Sequence, residues 1–508
     1  MRNHSPVLIE EFNGLWRRGD PESTPMDHFS DCNNLQFIQS GFRTRDGIDV
    51  VNVGGKTISD VVRMYMYVHQ NDEGLLVLDS HGNIYHTKSP TPLVPILSVT
   101  GMTDFAFVNI SGRAYISPHD GAIGLEDEFV YVYDGEGNPA RAAAGNKPVD
   151  ADGALAAANS ATAGNVEAGI HIFGVVYETD SGFLSSFGPD TLPTVTTPGN
   201  KKVDLSNIPI SPSSSVTARR VVASKLIQTA NYTGNTRGYQ LYFVPNGRIA
   251  DNTTTTLPVN FYDAELLEDA SHLEDLFEAI PAGAVMGIFH NRMIVGSVFG
   301  AFNNDPSLDE SGLNSTAYLS FPGEPEAIDQ VDGLIVAPLD SKPLTNAQEY
   351  RDVLYIFKQT RTLAYTDNGD NPTSWPLIAI DQGVGASIHG IATVLDSGGI
   401  NVDYLLVTSL DGIMLFNGAY NRPELTWKIK DFWAELDRDN FKYIQLVNDS
   451  VDQKIYMCLP DRKMLYADYS NGLAADKIRW CPWEFRARIT TITLININAL
   501  VVGSDGEL

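Results

Sequence analysis

Ten histidines are the residues of this chain best suited to proton transfer or metal binding: His4, His28, His69, His81, His86, His119, His171, His272, His290 and His389. None stands in an HExxH pattern or is paired along the chain with a carboxylate at ligand spacing. His81 and His86 flank a glycine turn, which predicts surface or turn positions for both. Cys32, Cys458 and Cys481 are far apart and lack CxxC spacing, so buried reduced thiols are expected, not a disulfide framework or a zinc site. No GxSxG elbow is present for a serine nucleophile. QGVGASIHG (382–390) is glycine-rich but lacks the Lys-Ser/Thr ending of a P-loop and the spacing of a dinucleotide fingerprint, so its glycines are expected to serve a turn. SLDG (409–412) and SDG (504–506) put Asp in tight turns. Such carboxylates can work in pairs as acid and nucleophile on a glycoside, or accept backbone N–H groups of their own turn. Trp427, Trp433, Trp480 and Trp483 could stack on a sugar or pack between sheets. The sequence predicts no catalytic, cofactor-binding or metal-binding residue, and a protein that is not an enzyme.

The elements around these residues are short strands joined by tight polar turns. LLVLDSHGNIYHT (75–87), AVMGIFHNRMIVGSVF (284–299), YLLVTSLDGIMLFNGAY (404–420) and KIYMCLPDRKMLYADYS (454–470) each flank a turn with β-branched and aromatic residues, the pattern of an antiparallel hairpin. FAFVNISGRAYISPHDG (105–121) and FVYVYDGEG (129–137) continue it, and residues 130–134 alternate as a half-buried strand would. Hairpins repeated without helices between them predict an all-β chain built on a β-propeller. A last copy begins at ALVVGSDGEL (499–508) without a returning strand. Either the N-terminal arm supplies that strand and clasps the ring, or the protein continues further.

Six segments follow from this pattern. Residues 1–60 form an arm and entry strand, and 61–137 the first part of the propeller. Residues 138–168 are Ala- and Gly-rich and are predicted as a linker with a short helix near Ala154–Ala158. Residues 169–263 carry strands about ten residues apart, the spacing of an immunoglobulin- or fibronectin-like β-sandwich. Residues 264–283 form an acidic connector with leucines at helical spacing, and 284–508 complete the propeller.

The chain has 508 residues and is 43% hydrophobic, enough for large cores, and its formal charge is −28. That charge repels a phosphate backbone and argues against tight DNA binding, though not against DNA passing nearby. Glu126, Asp127, Glu128 and Asp134, and the run Asp263–Glu278, could face such a path or simply solvent. No run approaches the length needed to span a bilayer, and the N-terminus lacks a signal-peptide pattern, so a cytoplasmic protein, or one released by lysis, is expected.

The opening FNGLWRRGDPESTPMDHFSDCNNLQF, followed by GFRTRDG, resembles the entry motif of short-tailed bacteriophage tail proteins, through Asn13, Gly14, Leu15, Asp31, Asn34, Phe37, Gly41, Arg45 and Gly47. VVYETDSGFLSSFGP, GIFHNRMIVG and LLVTSLDGIMLFNG resemble the start of that family's inserted module, its return to the propeller and its blade turn. The family is the tail nozzle, or tail tube protein B. The resemblance implies a virion component assembled in the host cytoplasm as a homo-oligomeric six-fold ring. It would sit beneath a head–tail adaptor, carry fibres or spikes, and let DNA pass through its lumen without sequence-specific binding. The sandwich is then expected to supply neighbour contacts, and the 138–168 stretch departs from the family pattern. Two other readings stay open. One is a propeller glycosidase acting on host surface glycans, although Ile413, Met414 and Leu415 stand where an aspartate-box turn carries Trp. The other is a monomeric propeller acting as a protein-binding hub.

Overall fold

A computed structural model describes residues 12–19, 21–38, 41–47, 58, 60–70, 72–88, 93–123, 127–150, 153–274, 279–298, 315–337, 340, 342–396, 402–459, 463–495 and 499–505. The expectations for His4, Glu126, Glu278 and the final Gly506 turn lie outside these residues. Strands dominate, and Lys430–Ala434 is the one α-helix among the described residues. No helix among them is long and apolar enough to cross a membrane.

Among the described residues, six antiparallel meanders and one hairpin form the blades of a β-propeller. Blade one is Val61–His69, Asp72–Asp79, Asn83–His86 and Leu97–Ser98; blade two is Met102–Ile110, Arg113–Gly121, Tyr131–Tyr133 and Ala140–Arg141. Blade three is Gly283–Phe289, Arg292–Val298, Thr316–Phe321 and Glu324–Ile335; blade four is Leu344–Tyr350, Val353–Lys358, Arg361–Tyr365 and Leu377–Asp381. Blade five is Ile391–Asp396, Val402–Ser409 and Gly412–Phe416; blade six is Gln445–Asp449, Lys454–Cys458, Lys463–Asp468 and Arg479–Glu484; blade seven is the hairpin Ile489–Ile495 with Ala499–Ser504. The first strands of the blades are innermost and touch in sequence from blade one to blade four and from blade five through blade seven back to blade one, while blades four and five meet through a core that includes Tyr355, Phe357, Leu405 and Phe416.

The apolar cores lie between blades. One joins Tyr67, Leu76 and Ile84 of blade one to Phe105, Ile116 and Tyr133 of blade two. The last unites Val61, Met64, Leu75 and Val77 with Ile495 and Val501, which closes the ring. The middle strands of the blades are therefore covered on both faces and read as apolar runs. Gly412–Phe416 is buried at every position. Tyr131–Tyr133 is likewise buried throughout, not half-buried as its alternation predicts, because blades one and three pack on opposite faces of it.

Between blades two and three the chain forms two further sheets. Ala156–Val166, Lys201–Ser206 and Thr256–Val259 make one; Thr194–Thr197, Gly169–Thr179, Val216–Ser224 and Leu241–Ile249 make the other. They share a core that includes Phe173, Val203, Val221, Val244 and Phe261. The linker predicted over 138–168 is thus structured. Ala140–Arg141 is the outer strand of blade two, and Ala156–Val166 is an edge strand, not a helix. Its small side chains suit an edge mostly open to solvent, with Leu155 and Val166 as buried anchors. Ala142, Ala143 and Ala144 are small because they are enclosed. The buried Glu326 carboxylate ties this joint together, accepting from Ala143 N at 2.8 Å and from Ser181 Oγ at 2.7 Å.

The helix predicted in 264–283 is replaced, among its described residues, by two single turns, Asp263–Glu265 and Ser271–Leu273. Phe243 N and Ala270 N hydrogen-bond to Glu268 O and Leu241 O, so the segment pairs with a sheet edge instead of coiling on itself.

Candidate functional site

The inner strands carry a buried polar cluster on the propeller axis. Residues 63 and 65 of blade one, 104 of blade two, 445 of blade six and 491 of blade seven converge with His389 from the loop before blade five. Arg63 grips Asp104 with two parallel bonds, Nε to Oδ1 at 2.9 Å and Nη2 to Oδ2 at 2.8 Å, and its Nη1 reaches Gln445 Oε1 at 3.3 Å. His389 Nε2 lies 3.2 Å from Asp104 Oδ2, and Tyr65 Oη lies 3.1 Å from both His389 Nδ1 and Phe105 O. Gln445 Oε1 also accepts from Thr491 Oγ1 at 2.7 Å and from Ile492 N at 3.1 Å. One network therefore stitches blades one, two, six and seven to the loop entering blade five.

Burial and charge act in opposite directions here. Burial disfavours the Asp104 carboxylate, but Arg63 and His389 outweigh it and hold the carboxyl well below its ordinary range. Burial, followed by the positive charge of Arg63, pushes His389 down to about 4, so at neutral pH it is an uncharged imidazole whose Nε2–H donates to Asp104. Both oxygens of Asp104 are engaged by Arg63, and Oδ1 also accepts from Phe105 N at 2.8 Å. Beside this cluster lies a partly open pocket of about 230 Å³, lined by residues that include Tyr65, Phe107, Met286, Asn346, His389 and Gln445.

The entry motif forms a second constellation. Leu15 is buried, with its N–H on Trp480 O at 2.9 Å, and Gly14 (φ +82°) passes so close that a Cβ would stand 2.8 Å from Trp480 N. Asn34 donates from its backbone to Pro482 O, while its Oδ1 accepts from Glu484 N at 2.9 Å and Arg45 Nε at 3.1 Å. Asn13 Nδ2 donates to Asp27 at 2.7 Å, Trp483 Nε1 donates to Leu35 O at 2.7 Å, and Phe37 stacks on Tyr466. The Arg18 guanidinium lies 3.8 Å over the ring of Trp427. The described arm thus docks on the outer strand of blade six and the segment between blades five and six. Among the described residues 499–504 is the second strand of the hairpin begun at Ile489 and pairs with 489–495, and the expectation that the arm adds a strand to this blade falls on residues 48–57, outside the described residues.

The other singled-out residues resolve individually. His81 is exposed, but His86 is buried between blades, with Nδ1 3.0 Å from Tyr133 Oη. Sequence spacing missed this because the tyrosine lies 47 residues away. Trp433, Trp480 and Trp483 are buried as packing residues, and Trp427 is half-buried under Arg18. Cys32, Cys458 and Cys481 are free and buried. The 382–390 loop is a turn between blades four and five, where a Cβ at Gly385 would meet Lys358 O at 1.8 Å. In the 409–412 turn it is Ser409, not Asp411, that caps, through Oγ. Asp505 accepts from Arg488 N at 3.1 Å. Of the acidic candidates, Asp127 accepts from Tyr131 Oη at 3.2 Å and Asp134 caps Glu136 N at 3.0 Å.

Neither family models nor curated proteins match the chain. Among solved structures it is similar to Saccharomyces cerevisiae Sqt1 (8% identity over 88% of this chain and 97% of that one, TM-score 0.33). It is also similar to BamB from Moraxella catarrhalis (12% identity, 81% and 94%, TM-score 0.27) and to Chaetomium thermophilum Raptor (11% identity, 80% and 27%, TM-score 0.28). At these identities and scores the likenesses carry nothing about function; the propeller rests on the seven blades and the cores between them.

Proposed function

We propose that the protein is a non-enzymatic assembly subunit that works through protein–protein contacts, and more specifically the nozzle subunit of a short phage tail. The observation that carries the assembly role is the outer strand of blade four. Leu377–Asp381 lies at the end of its sheet, and Leu377 and Ile378 are 49% and 57% exposed. Its entry turn, Pro372–Ser374, contacts the outer strand of blade three, which ends in Ile335, itself 65% exposed. An apolar strand with one free backbone edge is a template for strand addition by another chain.

The nozzle assignment is supported by the arm. Gly14, Leu15, Asn34, Phe37 and Arg45, which carry the resemblance, are the residues that lock the arm to blade six. In this reading the genome passes between copies and not through one subunit, and the net charge of −28 keeps DNA from adhering. The same edge strand also favours a second reading, a monomeric hub that captures a partner's strand. The mass of the full-length protein in solution by light scattering separates the two. A closed ring is expected from a nozzle subunit, whereas a monomer at micromolar concentration would overturn the nozzle and leave the hub.

A further inference from the structure

Three hairpin ends bring a histidine and three carboxylates together at the rim between blades three and four. His290 occupies the turn of the first hairpin of blade three, where residues 290 and 291 both have positive φ (47° and 59°). Glu349 is the penultimate residue of the inner strand of blade four, and Asp352 sits in the turn that follows, where residues 351 and 352 are also left-handed (51° and 60°). Asp367 follows the third strand of that blade. Paired left-handed residues make each loop a two-residue turn, which sets the side chains on well-defined backbone.

One donor atom each from His290, Glu349 and Asp352 lies within 4.8 Å of the others, and His290 Nε2 is 4.0 Å from Asp352 Oδ1. Ligands bound about 2.1 Å from one tetrahedral ion stand roughly 3.4 Å apart, so closing this triangle asks for about 1 Å, within reach of the exposed Asp352 side chain. A second observation comes from the back of the imidazole. His290 Nδ1 lies 3.3 Å from Asp367 Oδ2, and Asp367 is itself fixed by accepting from Gly369 N through Oδ1 at 2.8 Å. A carboxylate only accepts, so an Nδ1–H that donates to Asp367 presents Nε2 as the ligand atom on the side of Asp352. That carboxylate–histidine arrangement is the one that orients and strengthens an imidazole ligand. Stacking on Phe289, with centroids 4.1 Å apart, holds the ring plane, and His290 N donates to Glu349 Oε2 at 3.0 Å.

We propose that His290 Nε2 and the carboxylates of Glu349 and Asp352 form a binding site for a first-row divalent cation of the zinc type. Asp367 acts as the positioning residue, and water fills the remaining coordination. One nitrogen and two carboxylate oxygens suit such an ion better than the all-oxygen sets that calcium and magnesium take. Bound there, the ion bridges the turns of two neighbouring blades.

The test uses full-length protein stripped with chelator and titrated with Zn²⁺ by calorimetry, with Co²⁺ absorption as a spectroscopic probe. One ion per chain is expected, together with a Co²⁺ band indicating a nitrogen ligand and a higher Tm with metal. His290→Ala should abolish binding and the Tm rise while leaving the metal-free Tm near that of the parent. Asp367→Asn, which keeps the side-chain volume, should weaken affinity by about 10–100-fold. Absence of stoichiometric binding, or undiminished affinity in His290→Ala, overturns the site.

Discussion

At the scale of single residues, the entry motif shows how chemistry-poor positions can be strongly constrained. Gly14 combines positive φ with a backbone approach to Trp480 that leaves no room for a methyl group. Gly14→Ala is expected to destabilise the protein by about 1–3 kcal/mol, read as a lower urea midpoint at an unchanged slope, whereas Gly19→Ala, with open space around it, should cost mainly backbone strain. Equal losses at both positions would mean that docking against Trp480 contributes nothing. Gly14 and Asn34 stood out in the sequence as motif members, but their role was not legible there. Trp480 and Glu484 are more than 440 residues away, and no local pattern encodes that pairing. The axial cluster was equally hidden. Arg63, Asp104, His389 and Gln445 share no motif, and each reads in isolation as an ordinary polar residue in or beside a strand.

At the scale of elements, hairpins were legible because turn chemistry and β-branched runs are local. The errors came where burial on the second face, or pairing with a distant edge, decided the outcome. Ala156–Val166 became a strand because Lys201–Ser206 offered it a partner, and 264–274 gave up its helical spacing to a sheet edge. The exposed outer strand of blade four belongs to this scale. Ile378→Lys puts a charge on that edge without touching a buried core, so thermal stability should change little while self-assembly, or partner binding, is lost. Light scattering of this variant beside the parent checks it, and an unchanged assembly would remove the edge from the interface.

At the scale of the whole molecule, stability depends on a ring of polar and apolar contacts that pH can loosen. Burial holds both His389 and His86 neutral and pushes each down to about 4, against 6.5 in the unfolded chain. The unfolded state therefore binds more protons between those values. The stabilisation is whole above about pH 6.5 and is lost as pH falls toward 4, on the order of 3 kcal/mol for His389. Unfolding midpoints measured from pH 7.5 to 4.5 should fall steadily, and His389→Gln should flatten the slope; a pH-independent midpoint would contradict this account. The all-β class, the hairpin repeat, an interruption of the propeller, the acidic balance and the motif of the arm were legible in the sequence alone, since each is written in local composition and turn spacing. Only the tertiary structure decided the number of blades, the docking of the arm on blade six, the axial Arg63–Asp104–His389 cluster and the meeting of His290 with Glu349, Asp352 and Asp367. Those depend on strands far apart in the chain being brought side by side when apolar faces between blades are buried, and no spacing along the chain records which blade will face which.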